Sequence, residues 1–402
     1  MTEPPGRTGV RTGPSGPAAP SPDGPSPDGP PPDGRGTGLA VHAAVADRDV
    51  RLDVDLPAGQ VLGVLGANGA GKSTLLALAA GLLRPTAGAV TIAGRVVADA
   101  RTWLPPHGRR VSLLAQEPLL FPHLTALENV AFGPRATGAG RRAAAALARE
   151  RLAQVGAAEL AGRRPGQLSG GQAQRVALAR ALAPDPAVVL LDEPLSALDV
   201  EAAAAMRQLL REVLRAARRT AVLVTHDLLD VLAVADAVVV LEHGAVVEEG
   251  STLEVLTRPR SGFAASLAGV NLLPGRLRPD GAVIVPPAAP VRAGTPTAGP
   301  ELVLHGLVDP ACRAGAAVAA SVAPRAVSVH RDPPGGSPRN TVPVTVLGLE
   351  QQGELVRVRT VTDGGHRLAA DITPTSVAGL GLAPGMRVLL AVKAAEVAVY
   401  PA

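Results

Sequence analysis

The chain has 402 residues, enough for two or three domains, and 47% hydrophobic but only 1% aromatic residues, so its cores must be aliphatic. A net charge of +4 is small for this length and does not imply a nucleic-acid partner. The single cysteine, Cys312, excludes an internal disulfide or a cysteine zinc site, and no apolar run is long enough to span a membrane, since Val231 to Leu241 is short and broken by Asp236.

Residues 1–38 are rich in Pro, Gly and Asp. Ser21-Pro22-Asp23-Gly24-Pro25 repeats at Ser26 to Pro30 and is echoed at Pro31 to Gly34. Such a segment reads as a disordered tail without an apolar signal sequence, and a cytoplasmic protein is expected. From about Leu39 to Val54, alternation predicts a strand pair, and Gly59 to Leu65 a buried strand. Gly66-Ala67-Asn68-Gly69-Ala70-Gly71-Lys72-Ser73 then fits the phosphate-wrapping pattern G-x-x-x-x-G-K-[ST], with Thr74 following. A helix is predicted over Lys72–Leu83, stopping before Pro85. Further on, a strand and turn are predicted over Ala89–Val96 and a short strand over Val111–Leu114. Helices are predicted over Arg141–Val155, Gly171–Ala183 and Ala202–Arg218, and from about Leu228. The runs Ala187–Leu191 and Ala221–Thr225 read as strands buried on both faces, so the alternation predicts a doubly wound parallel sheet. After about Val270 the texture becomes Val-rich with Gly and Pro turns. There Gly315, Val318, Val322, Val327 and Val329 match Gly385, Val388, Val392, Val397 and Val399 at a constant offset of 70, which predicts two copies of a small β unit in one barrel-like domain.

Candidate chemistry gathers at the carboxyl ends of the predicted strands, where open α/β sheets bind ligands. The loop glycines let backbone N–H groups converge on phosphates at a helix start; Lys72 would reach the β- and γ-phosphates, and Ser73 would hold Mg²⁺. Asp192, at a strand end, is placed to bind Mg²⁺ through water, and Glu193 to orient an attacking water. His226 and Gln116 each lie just past a strand and approach the same crevice. A second anion site is predicted at Leu168-Ser169-Gly170-Gly171-Gln172, where Ser169 would cap a helix whose first N–H groups stay open. One nucleotide does not need two such helix ends.

These motifs, in this order, resemble the nucleotide-binding subunit of an ATP-binding-cassette (ABC) transporter over about residues 39 to 260. The resemblance makes Gly66 to Ser73 the Walker A loop, Gln116 the Q-loop, Leu168 to Gln172 the signature, and Asp192 and Glu193 the Walker B carboxylates. Ser196-Ala197-Leu198-Asp199 becomes the D-loop and His226 the switch histidine. It implies an α/β P-loop NTPase domain over 39–270, with a helical subdomain at about 117–168. ATP and Mg²⁺ would be held by Gly66, Asn68, Gly69, Ala70, Gly71, Lys72, Ser73, Thr74, Gln116 and Asp192, with Glu193, His226 and Gln116 in hydrolysis. It also implies a head-to-tail homodimer, in which Ser169, Gly170, Gly171, Gln172 and Asp199 face the partner's nucleotide. Integral-membrane permease subunits at the cytoplasmic face, and indirectly a solute-binding protein, would be the other partners. The groove for a permease helix would include Glu117 to Leu124, with Phe121 a candidate contact. One departure stands out: the family usually stacks an aromatic residue on adenine upstream of Walker A, and the first aromatic side chain here is Trp103. Adenine stacking is then absent, or an aliphatic or other side chain near Asp47 to Arg51 serves instead.

Residues 271–402 resemble the C-terminal TOBE/Mop domain of importer ATPases, an all-β, OB-like barrel. The segments Asp371 to Val377 and Val392-Lys393-Ala394 look most like molybdate-binding Mop units. Thr373 and Ser376 bracket a predicted helix start, where hydroxyl and N–H donors suit a tetrahedral dianion. Of 39 basic residues only Lys72 and Lys393 are lysines, which points to a need for a compact ammonium at 393. The resemblance implies a molybdate importer, with a sulfate, thiosulfate or other small-anion importer as the alternative. Thr373 and Ser376 of one domain would share a regulatory oxyanion with Lys393 and Ala394 of another.

Overall fold

The computed structural model describes Met1 and residues 36–288 and 299–402; the Pro/Gly-rich repeat lies outside them. β1 (Thr37–Val45) and β2 (Val50–Pro57) form an antiparallel pair, joined through a turn with Asp49 in the left-handed region. β3 (Val61–Gly66) feeds the glycine loop and α1 (Lys72–Ala80). β4 (Ala87–Ile92) and β5 (Arg95–Ala98) make a hairpin across Ala93-Gly94, where one strand and a turn were expected. Next come β6 (Val111–Leu114), α2 (Ala126–Ala136), α3 (Arg141–Gln154), α4 (Gly170–Leu182), β7 (Val188–Asp192) and α5 (Val200–Ala216). They are followed by β8 (Thr220–Val224), α6 (Leu228–Val234), β9 (Ala237–Glu242), β10 (Ala245–Ser251), α7 (Thr252–Thr257) and α8 (Gly262–Ala268).

These ten strands run in the order β5-β4-β1-β2-β10-β9-β3-β8-β7-β6. The expected parallel sheet is therefore half of a mixed one. β9, β3, β8, β7 and β6 are mutually parallel, while β5, β4, β1 and β2 pair antiparallel. The parallel strands are buried on both faces, as their unbroken Val/Leu runs require: Val188, Val189, Leu190 and Leu191 are all fully buried. Three aliphatic cores result, one beneath α1 and the β1–β2 pair, one beneath α2, α3, α4 and α5, and a smaller one beneath α6, α7 and α8.

α1 stops three residues short of Leu83. Gly81 takes a left-handed φ of 81° as its C-cap, and the buried Arg109 guanidinium donates to the Leu78 and Ala79 carbonyls at 2.7 and 3.4 Å. A cation on the last carbonyls offsets the negative end of the helix.

The C-terminal body contains β11 (Asn271–Leu277), β12 (Ala282–Val285), β13 (Leu302–His305), β14 (Leu307–Val308), β15 (Ala317–Val322) and β16 (Ser328–His330). It continues with β17 (Asn340–Gln352), β18 (Leu355–Thr362), β19 (Arg367–Ile372), α9 (Pro374–Leu380), β20 (Arg387–Val392) and β21 (Ala398–Pro401). Two sheets, β13-β12-β11-β15-β21-β14 and β16-β20-β17-β18-β19, enclose one aliphatic core.

The expected duplication is present, and its halves exchange strands. β15 and β20 match at the 70-residue offset (385 − 315), each entered through a left-handed glycine, Gly315 or Gly385. Yet β15 pairs with β21 of the second half, and β20 with β16 of the first. Asn271 and Asn340, the opening residues of β11 and β17, lock the exchange. Asn271 hydrogen-bonds both backbone groups of Ala369 in β19, at 2.7 and 2.9 Å, and Asn340 does the same to His305 in β13, at 2.7 and 2.8 Å. Each asparagine thus satisfies backbone groups of the opposite half that no ladder reaches.

Candidate active site

The sheet topology carries four chain segments to one edge. β3 ends at Gly66, β7 at Asp192, β8 just before Thr225-His226, and β6 just before Gln116. A cavity of about 540 Å³ opens there, lined by Arg48, Val50, Asn68, Gly69, Gly71, Lys72, Ser73, Thr74, Asp192, Glu193 and Val224. Gly66 has a φ of 146°, and a side chain on it would meet the Leu241 carbonyl at 2.3 Å, so the strand can turn into the loop only with glycine here.

Lys72 is 8% exposed and folds back over the loop, its Nζ donating to the Gly66 and Ala67 carbonyls at 2.7 and 3.0 Å. Burial pulls its ammonium below the ordinary lysine range, against the raising effect of the Glu193 and Asp192 carboxylates. Burial pushes Asp192 up, the Glu193 charge adds to this, and Lys72 opposes it. Ser73 Oγ and the Asp192 carboxylate offer hard oxygen donors in a cavity that contains the cation of Lys72, a set that suits a magnesium nucleotide.

His226 Nδ1 lies 3.4 Å from Glu193 Oε2. Glu193 has a left-handed φ of 44°, and its N–H donates to the Val224 carbonyl at 2.9 Å, which fixes the backbone from which the carboxylate projects. Gln116 Nε2 donates to Ser196 Oγ at 3.2 Å, and Ser196 Oγ donates to the Glu193 carbonyl at 3.0 Å. Gln116 and His226 therefore connect to the cavity through Glu193 and do not line it. Gly66 and Ala70 form the loop without lining it either.

The other predicted residues lie apart from this cavity. Ser169 caps α4 in a reciprocal pair with Gln172: its hydroxyl accepts the Gln172 N–H at 3.4 Å, and Gln172 Oε1 accepts the Ser169 N–H at 3.1 Å. Gly170 and Gly171 open the helix behind it. Asp199 caps α5, accepting from Ala202 N–H at 2.8 Å; this cap starts the helix two residues before the expected Ala202. In the C-terminal body, Thr373 caps α9, and its hydroxyl bonds that of Ser376 at 2.8 Å. Lys393 and Ala394 follow β20. Val392 pairs with Asn340 at the start of β17, while Ile372 pairs with Val356, which pairs with Gln351 near its end. Along the sheet the two ends are eleven residues of β17 apart (351 − 340), and no hydrogen bond among the described residues joins Lys393 to Thr373 or Ser376.

Sequence reasoning pointed to the interval Asp47 to Arg51 without naming a residue in it, and it missed Gln174. Arg48 and Val50 line the cavity, and Arg48 donates to Thr74 Oγ1 at 3.3 Å. Among the described residues no aromatic side chain lines the cavity, and the interval Asp47 to Arg51 contributes a guanidinium and a valine there. Buried Gln174 donates to the Pro194 carbonyl at 2.8 Å and ties α4 to the Glu193 loop. Nothing in the pattern marks Arg48, whereas Gln174 sits at an otherwise apolar helix position.

The ABC transporter family profile matches residues 50–196, and the TOBE domain profile residues 336–399. The molybdenum import ATP-binding protein ModC of Mycobacterium tuberculosis (strain ATCC 25618 / H37Rv) is 48% identical over 372 residues, covering 90% of this chain and 97% of that protein. This chain belongs to the ABC transporter family. The spermidine/putrescine import ATP-binding protein PotA of Pseudomonas fluorescens is 40% identical over 252 residues, 62% of this chain and 69% of that protein. The Fe(3+) ions import ATP-binding protein FbpC of Rhizobium etli is 42% identical over 224 residues, 56% of this chain and 62% of that protein. This ABC subunit is an ATPase with a TOBE domain behind its ATP-binding domain. The TOBE match takes in β17 to the start of β21, the second of the two duplicated halves. Among the described residues, no helix of the subunit is long and apolar enough to cross a membrane.

Proposed function

We propose that this chain is the ATP-hydrolysing subunit of a molybdate importer. Residues 39–270 form the motor and 271–402 the regulatory domain. The observation that carries hydrolysis is the meeting of Lys72, Asp192, Glu193 and His226 at one sheet edge, with His226 3.4 Å from Glu193. The glycine-loop N–H groups and Lys72 hold the β- and γ-phosphates, with Gly66, Asn68, Gly69, Ala70, Gly71 and Thr74 shaping the loop. Ser73, Asp192 and Gln116 would hold Mg²⁺, which neutralises charge on the phosphates. Glu193 orients and polarises the attacking water, and His226 contacts the γ-phosphate from beside it.

Ser169, Gly170, Gly171, Gln172 and Asp199 lie outside this cavity, which supports a head-to-tail homodimer in which they meet the partner's nucleotide. Phe121 packs on Phe132 with ring centroids 4.7 Å apart, and Phe132 is 48% exposed, an apolar surface suited to a permease helix. The subunit then sits on the cytoplasmic face of the membrane through permease subunits that receive solute from a binding protein.

Molybdate rests on the ModC relative, whose alignment covers 90% of this chain and so must include most of the C-terminal domain. The hydroxyl pair of Thr373 and Ser376 at the start of α9 and the exposed ammonium of Lys393 support an oxyanion site shared between two domains, where bound molybdate slows transport. Two measurements on the full-length protein test this reading. Glu193→Gln should keep ATP binding and lose turnover; hydrolysis at the wild-type rate would overturn the assigned role. Calorimetry should show molybdate bound in preference to sulfate, and the reverse preference would assign a sulfate importer.

A further inference from the structure

A partly buried ionic clasp joins α5 to α6 beside the ATP cavity, and the chemistry described above does not use it. Arg207, on α5, donates through Nε to Asp230 Oδ1 at 2.6 Å and through a terminal nitrogen to Asp227 Oδ2 at 2.7 Å. Asp230 is 3% exposed, and its second oxygen accepts from the Thr225 hydroxyl at 2.7 Å. That hydroxyl accepts in turn from the Asp227 N–H at 3.1 Å. Asp227 also caps α6, accepting from Leu229 N–H at 2.8 Å.

Every arm of the clasp grips a residue next to His226 or the helix that follows it. The imidazole itself is 65% exposed, and its one ion-pair contact among the described residues is with Glu193. Its position must therefore come from its backbone, which Thr225 and Asp227 pin on both sides. A buried ion pair is a poor source of net stability, because desolvation offsets most of its attraction, but its fork geometry specifies one arrangement. The clasp also has a far end. α5 starts at the Asp199 cap, eight residues before Arg207 (207 − 199), about 12 Å of continuous helix.

We propose that Arg207 is a positioning residue for hydrolysis: it sets His226 against Glu193 and ties it rigidly to α5, so that displacement of the Asp199 loop moves His226. This rests on the hydrolytic roles given above to Glu193 and His226. A clasp that merely held the fold together would lower thermal stability without selectively slowing turnover.

The test uses the full-length protein. Arg207→Lys keeps one positive charge but cannot span both carboxylates. It should lower kcat at least tenfold while leaving the Kd for ATP within twofold. In a His226→Ala background, measured by single turnover, the same change should cost less than twofold more, because the residue through which it acts is gone. Asp227→Asn keeps the Arg207–Asp230 pair and the α6 cap, so it folds even if Arg207→Lys does not, and should lower kcat at least threefold with the same ATP affinity. Wild-type kcat in a folded clasp variant, or equal losses with and without His226, would overturn the proposal. Glu193→Gln separates the two readings. If it hydrolyses ATP normally, the site assignment fails; if it is inactive while Arg207→Lys and Asp227→Asn run at full rate, only the positioning role fails.

Discussion

Lys72 and Lys393, the two lysines of the chain, sit in opposite surroundings. Lys72 is buried, bonded to two carbonyls of its own loop, and faces Asp192 and Glu193 across a cavity. Lys393 is exposed at the end of β20, and its side chain makes no hydrogen bond or ion pair among the described residues. The difference is one of assembly. The loop around Lys72 is closed by neighbouring residues, and three parallel strands deliver the rest. The hydroxyls proposed to work with Lys393 cap a different element, α9, and the proposed site takes them from a second domain.

The largest effect should come from the buried lysine. Lys72→Ala removes charge-assisted hydrogen bonds worth roughly 1.5–3 kcal/mol each, and two of them correspond to at least about a hundredfold loss of ATP affinity. Equilibrium binding of a fluorescent ATP analogue checks this. A loss below about tenfold would mean that the cavity does not bind phosphate through Lys72.

The contrast also explains what the sequence could show. The glycine loop, Asp192, Glu193 and His226 were legible because each is a local motif or a strand end, and parallel strands align their ends. Helix limits were less so. The end of α1 at Ala80 depends on Arg109, a residue distant in sequence, which sits under Gly81. α2 was hidden by Gly133 and Pro134, although Thr125 and Glu128 form a reciprocal cap that marks its start. In the C-terminal domain the 70-residue repeat located matching turns, but strand exchange between the halves is a tertiary choice that no local pattern encodes.

That exchange offers the next prediction. Asn340 is 1% exposed and Asn271 7%, and each satisfies two backbone groups of the opposite half. Asn340→Ala should destabilise the C-terminal domain by about 2 kcal/mol, since an orphaned buried polar group costs roughly 1–3 kcal/mol, and Asn271→Ala should do nearly the same. Urea unfolding followed by the fluorescence of Tyr400, which is buried in this domain, measures both. A large effect at only one asparagine would show that the halves are not equivalent supports, and that Lys393 stands on the firmer or the weaker one.

Lys393→Ala should leave that unfolding curve unchanged, because the side chain is exposed, and should lower molybdate affinity about tenfold through the loss of one charge-assisted bond. Calorimetry on the full-length variant reads this. Unchanged affinity would remove Lys393 from the proposed oxyanion set while leaving the ATP site untouched.

The smallest effect belongs to a cationic group on the open face of the ATP-binding domain. His42 lies across β1 and β2 from Asp53, with one ring nitrogen on that carboxylate and the other 3.2 Å from Asp55. Burial lowers its pKa, but the Asp53 hydrogen bond and the Asp55 and Asp53 charges outweigh this, so it stands above the ordinary 6.5. Lys72 shows the opposite balance, with burial prevailing over its carboxylates. A raised folded-state pKa means that the imidazolium stabilises the fold fully below pH 6.5 and loses this contribution as pH rises through the folded value. The side chains are half or more exposed, so solvent screens the pair and the effect on stability stays small. The titration itself is the sharper readout. The His42 ring protons should shift with a midpoint above 6.5, and Asp53→Asn together with Asp55→Asn should bring it down. A midpoint at or below 6.5 in the wild-type protein would show that burial, not charge, governs this face as it governs Lys72.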